Sequence, residues 1–85
     1  MGHCKFFNLL YEAVGTVRSE SLAVLDSLEG EESLMSLLIP SLGLDSVEIF
    51  ELVGYLEDNS GVNIPESKIF SFRTIGELKA FMALD

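Results

Sequence analysis

Ser46 is the residue best placed for chemistry. Its hydroxyl follows the carboxylate of Asp45 in the run Leu42-Gly43-Leu44-Asp45-Ser46-Val47. Downstream, Ile49, Leu52, Val53 and Leu56 recur at the i, i+3, i+4, i+7 spacing of a buried helical stripe. That spacing makes Ser46 an expected N-cap, with free backbone N–H groups just ahead of it. A phosphate ester on the Ser46 oxygen would then sit at the positive end of the helix dipole. Gly43 reads as the flexible turn residue that lets the chain enter this helix. A conventional serine nucleophile does not fit, because the only histidine, His3, stands at the extreme N-terminus and no base is evident. Taken alone, a serine at a helix start reads first as a plain cap, since serine is a preferred N-cap residue.

At these residues the chain resembles the acyl carrier protein family, which carries a phosphopantetheine arm on the serine of an Asp-Ser-Leu motif. Val47 stands where the leucine is usual. The resemblance runs without gaps from about Leu42 to Met82 and takes in Glu48, Glu51, the turn Ile64-Pro65 and Thr74-Ile75. It implies Ser46 as the covalent attachment point of phosphopantetheine, donated from coenzyme A by a separate phosphopantetheinyl transferase. It also implies that Asp45 is used by that enzyme through metal ordering, in a site of the complex and not of this chain. Gly43 agrees with the family motif as well as with its turn role. Phosphopantetheine supplies a thiol that holds acyl groups as thioesters, as coenzyme A does.

The charge balance bounds the partners. The 85 residues carry 14 acidic and 5 basic side chains, for a net charge of −9. Nucleic acid and anionic membrane surfaces want Lys and Arg, so neither suits this chain. A basic protein surface is the natural complement. The length makes one small domain, residues 1–85, with a modest core and little room for a deep catalytic pocket. Cys4 is the only cysteine, which gives neither a disulfide framework nor a metal cluster and fits a reducing cytoplasm. Cys4 and His3 read as incidental. There is no signal-peptide pattern, no apolar run of the roughly 18–20 residues a membrane span needs, and no myristoylation signal. Metal-ligand spacing, an EF-hand pattern and a phosphate-cradling glycine loop are all missing.

The elements that must position Ser46 are helical. A first helix is expected over about Lys5–Arg18, with Phe7, Leu10, Val14 and Val17 as its stripe and Phe6 and Ala13 beside it. From Leu22 to Ile39 the pattern is helical in two pieces, Leu22/Leu25/Leu28 and Leu34/Leu37/Leu38, around the turn signal Glu29-Gly30-Glu31-Glu32. A second main helix is expected over Ser46–Asn59, stopped by Ser60-Gly61, and a short one over Glu66–Phe70. Thr74-Ile75-Gly76-Glu77 reads as a capping box opening a last helix with Ile75, Leu78, Phe81 and Met82 inward. The aromatics Phe6, Phe7, Tyr11, Phe70, Phe72 and Phe81 are expected mostly in the core. The fold class is all-α, a small antiparallel bundle of three main helices and one short one, like the acyl carrier proteins.

Opposite the buried stripe of the second helix lie Val47, Phe50 and Gly54, with Glu48, Glu51, Glu57 and Asp58 around them. Apolar residues inside an acidic rim suit a partner offering a small pocket ringed by Lys or Arg. By resemblance this face docks the enzymes that load and process the cargo; Gly54 stands where family members often have methionine. The expected function is therefore a cytoplasmic, monomeric acyl carrier, not an enzyme, serving fatty acid, specialised lipid or polyketide synthesis. An aspartate before the serine leans toward acyl carriers. Peptidyl carriers more often show Gly-Gly-His-Ser, and a peptidyl or aryl carrier is the runner-up. An unmodified helical adaptor is the rival from another class.

Overall fold

A computed structural model describes residues 5–83; His3 and Cys4 lie outside them. Its helices are α1 (Lys5–Val17), α2 (Leu22–Asp26), α3 (Glu31–Ser36), α4 (Ser46–Ser60), α5 (Glu66–Ile69) and α6 (Ile75–Met82). Two 3-10 turns, Ser19–Ser21 and Ile39–Leu42, complete the chain path. The three long elements α1, α4 and α6 and the short α5 are those expected from periodicity. The two apolar pieces between Leu22 and Ile39 become α2 and α3, which bury Leu25 and Leu34.

One core cluster joins these elements. The helix α1 packs chiefly on α4, and α3 on α6. In α1 the buried face is Phe6, Leu10, Ala13 and Val14. Phe7 and Val17, expected as members of the stripe, are only half-buried. At about 100° of turn per residue, Phe7 falls at the edge of the face set by Phe6 and Leu10, where its ring meets Tyr11 with centroids 5.9 Å apart. In α6, Ile75, Leu78 and Met82 are buried while Phe81 faces outward, against Phe72 at 5.4 Å. The same rotation explains this, since Phe81 lies about a quarter turn from Met82. Phe70 is also exposed, so of the six aromatics expected mostly in the core only Phe6 is fully buried.

A two-bond bridge ties the approach to Ser46 onto α6. The Ile39 amide donates to the Arg73 carbonyl, and the Ile75 amide to the Leu37 carbonyl, both at 2.9 Å. Extended backbone alternates sides, so Ile39 turns into the core while Leu38, expected to be buried, points out. Gly76 lets this region close up: a Cβ there would stand 2.8 Å from the Met35 carbonyl oxygen. Thr74 caps α6, its Oγ1 accepting the Glu77 amide at 3.1 Å. The Glu77 carboxylate accepts the amide of Arg73 at 2.8 Å, so the expected reciprocal box is displaced by one residue.

Candidate functional site

The loop before α4 is held by its apolar residues. Leu42 and Leu44 are buried on either side of Gly43, while Gly43, Asp45 and Ser46 are exposed. Gly43 ends the 3-10 turn in the left-handed region, φ +76°, which costs a residue with a Cβ but not glycine. Its amide donates to the Pro40 carbonyl at 3.0 Å.

Asp45, not Ser46, caps α4. Its Oδ1 accepts the Glu48 amide at 2.8 Å, and the Asp45 amide donates to Glu48 Oε1 at 3.1 Å, closing a full capping box. Ser46 is the first helical residue. The Asp-x-x-Glu spacing carries the box, and the aspartate outcompetes the serine because its carboxylate also meets the positive end of the dipole. The consequence is chemical. A capping hydroxyl would be committed to a backbone N–H, whereas the Ser46 hydroxyl is exposed and has no hydrogen-bond partner among the described residues.

The rest of α4 sorts by angle around the helix. Leu52, Val53 and Leu56 are buried and Ile49 half-buried. Val47, Glu51 and Asp58 lie on the opposite side and are exposed, and a Cβ at Gly54 would meet open space. Glu48 and Glu57, read in sequence as rim charges, lie on the two flanks, about a quarter turn either side of the stripe, and both are engaged. Glu48 accepts from Arg18 Nε at 3.2 and 3.3 Å, and its side chain is only 19% exposed. Glu57 accepts the Ile64 amide at 2.6 Å and so holds the turn leading to α5. The other flank residues follow the same division. Tyr55, on the Glu48 side, donates its hydroxyl to Glu12 of α1 at 3.4 Å. Phe50, on the Glu57 side, meets Phe70 edge-to-face with centroids 5.3 Å apart.

Phe70, 54% exposed, thus joins Phe50 and Val47 in an apolar surface that sequence periodicity did not include. Arg18 was missed as well. It donates to Glu48 and, through Nη1, to Glu20 at 3.1 Å, and the Glu48 bond raises its pKa above an already high ordinary value. A signal was present: Arg18 is the only Lys or Arg between Lys5 and Lys68. Ser21, buried, donates its hydroxyl to the Leu42 carbonyl. Nothing in the sequence marked it, because its partner lies 21 residues away.

In this small helical bundle the 15-residue α4 opens at an exposed serine whose hydroxyl no described residue engages. Residues 36–82, more than half of the chain, match the family described as phosphopantetheine attachment site. An acyl carrier protein of Borrelia garinii subsp. bavariensis is 34% identical over 71 residues, covering 84% of this chain and 89% of the relative. One from Treponema denticola is 35% identical over 60 residues, covering 71% and 77%. One from Clostridium perfringens is 33% identical over 54 residues, covering 64% and 71%. No solved structure matches. The chain belongs to the acyl carrier protein family, and it carries acyl groups on covalently bound phosphopantetheine. Family membership implies interaction with a phosphopantetheinyl transferase and with biosynthetic enzymes. The family is normally not catalytic, and among the described residues no helix is long and apolar enough to cross a membrane.

Proposed function

We infer that Ser46 is the attachment point of the phosphopantetheine arm. The observation that carries this is the transfer of capping duty to Asp45, which leaves the Ser46 hydroxyl exposed and, among the described residues, unbonded at a helix start held in place by Leu42 and Leu44. In the loading reaction the Ser46 oxygen forms a bond to phosphorus of coenzyme A. The pyrophosphate P–O bond breaks, adenosine 3′,5′-bisphosphate leaves, and the serine proton passes to a base of the transferase. The arm's thiol then holds acyl groups as thioesters. Gly43 supplies the turn, Asp45 fixes the helix start, and the resemblance gives Asp45 a further role toward the transferase's metal. The first turn of α4 suits a phosphate ester, since its unpaired N–H groups and dipole favour negative charge.

Residues 1–85 act as a single carrier unit, a cytoplasmic monomer with no activity of its own, serving fatty acid, specialised lipid or polyketide enzymes. Those enzymes, and the transferase, dock on the outward face of α4 through basic patches. Val47 and Phe50 form the apolar centre and Glu51 and Asp58 the free acidic rim, with Gly54 between them. The support is charge complementarity, a chain of net charge −9 carrying exposed apolar residues on one helix face. Glu48 and Glu57 contribute through the internal bonds that hold this face in shape.

Incubation with coenzyme A and a broad-specificity phosphopantetheinyl transferase tests the reading. Intact-mass spectrometry should show one added arm on the wild type and none on Ser46→Ala. Continued loading of that variant, mapped by peptide digestion to another serine, refutes the assignment.

A further inference from the structure

The corner between α1 and α2 grips the Ser46 loop from both ends. On one side the buried Ser21 hydroxyl donates to the carbonyl of Leu42, the residue just before Gly43. On the other, Arg18 Nε holds both oxygens of the Glu48 carboxylate, and Glu48 Oε1 in turn accepts the Asp45 amide at 3.1 Å. The two contacts bracket the segment from Gly43 to Ser46. Both come from residues outside 36–82, the stretch that matches the phosphopantetheine family.

The second grip has a clear electrostatic reason. Asp45 and Glu48 face each other across a capping box in a strongly anionic chain, and like charges brought together repel. Arg18 supplies the compensating charge from α1. Its second donor, Nη1, reaches the exposed Glu20 carboxylate at 3.1 Å. The Glu48 carboxylate is thereby held in the position from which it reaches the Asp45 amide.

We propose that Arg18 and Ser21 are positioning residues for the loading reaction, holding the loop in the form the transferase engages. This rests on Ser46 being the attachment point. Without the grip the loop samples other conformers, and an enzyme that binds only one of them sees its apparent affinity reduced by the competent fraction. The loss therefore falls on KM, with kcat at saturation unchanged.

The test is loading kinetics with coenzyme A and a purified transferase, followed by intact mass at a temperature where melts show each variant folded. Arg18→Ala and Ser21→Ala should each raise KM about fivefold, the equivalent of one hydrogen bond of ordinary net strength. Arg18→Lys, which keeps the charge but not the planar fork, should fall between. If Arg18 acts through Glu48, the double variant Arg18→Ala/Glu48→Gln should be no worse than the poorer single one. Amide exchange at Asp45 and Glu48 should quicken in Arg18→Ala while exchange in α6 stays unchanged. A role confined to stability would lower the melting temperature and leave KM alone.

Wild-type KM in the folded Arg18→Ala variant overturns the proposal, as do fully additive losses in the double variant. Faster loading also overturns it, since that is the result if Arg18 merely shields Glu48 from a basic partner. Should Arg18→Ala not fold, Arg18→Lys decides by the same KM comparison. These failures differ from failure of the attachment reading, in which the wild type does not load at Ser46 at all.

Discussion

Replacing Asp45 and Ser46 in turn separates the residue that holds the helix from the residue that reacts. Asp45→Ala removes the acceptor of the 2.8 Å bond from the Glu48 amide and with it half of the capping box. Loss of an N-cap costs about 1 kcal/mol, within a range of roughly 0.5–2. In a domain of this size each kcal/mol moves Tm by about 4–8 °C. Ser46→Ala removes an exposed hydroxyl that has no partner among the described residues, so its effect should stay within about 0.5 kcal/mol. Asp45→Asn keeps an oxygen in the capping position and loses only the charge, so its Tm should lie close to wild type. Thermal melts by circular dichroism, paired with intact-mass loading assays, read both properties. The expected pattern is a lowered Tm for Asp45→Ala, a near-wild-type Tm with no loading for Ser46→Ala, and a small shift for Asp45→Asn. If Ser46→Ala loses as much Tm as Asp45→Ala, the serine is the cap, its hydroxyl is committed, and the reasoning from an uncommitted nucleophile fails.

On the docking face, Glu51→Lys should slow association with a processing enzyme, and added salt should weaken wild-type binding in the same direction. Phe50→Ala should chiefly raise the dissociation rate, because it removes desolvated contact area and breaks the edge-to-face pair with Phe70; stopped-flow measurements at two salt concentrations distinguish these effects. Two glycines should respond oppositely to alanine: Gly54→Ala should raise stability by about 0.5–1 kcal/mol, since it removes a helix-interior glycine and meets open space. Gly76→Ala drives a Cβ to 2.8 Å from the Met35 carbonyl oxygen and should lower Tm as α3 and α6 are pushed apart. Finally, the Tyr11 hydroxyl donates to Asp26 at 3.0 Å, and this bond raises the phenol pKa above its ordinary value of about 10. A raised folded-state pKa contributes stability that is fully present below the ordinary value and is lost as pH rises through the folded one. Phenolate absorbance in a Tyr55→Phe background should show Tyr11 titrating above its ordinary range, and Asp26→Asn should bring it down.

The sequence alone determined α1, α4, α5 and α6, because each is a local pattern, whereas between Leu22 and Ile39 it showed two helical pieces without their limits. The stripe of Leu52, Val53 and Leu56, the Gly61 stop of α4 and the Thr74 cap of α6 are all fixed by residues within a turn or two. The same locality made Gly43, Asp45 and Ser46 legible as a group. Tertiary structure decided what those residues are free to do. Periodicity separates a buried face from an outward one, but Glu48 and Glu57 lie on the flanks, where the neighbouring element settles their fate. Arg18 and the Ile64 amide reach them there and take them out of the free acidic rim. Phe70 joined the exposed surface because α5 lies on the Phe50 side of α4, which a four-residue helix does not announce. The exchange of capping duty between Ser46 and Asp45 was a contest over one amide, that of Glu48, and the carboxylate prevailed. Ser21 and Arg18 were decided furthest from local pattern. Their partners lie 21 and 30 residues along the chain, and only the packing of α1 on α4 brings them to the loop that carries Ser46.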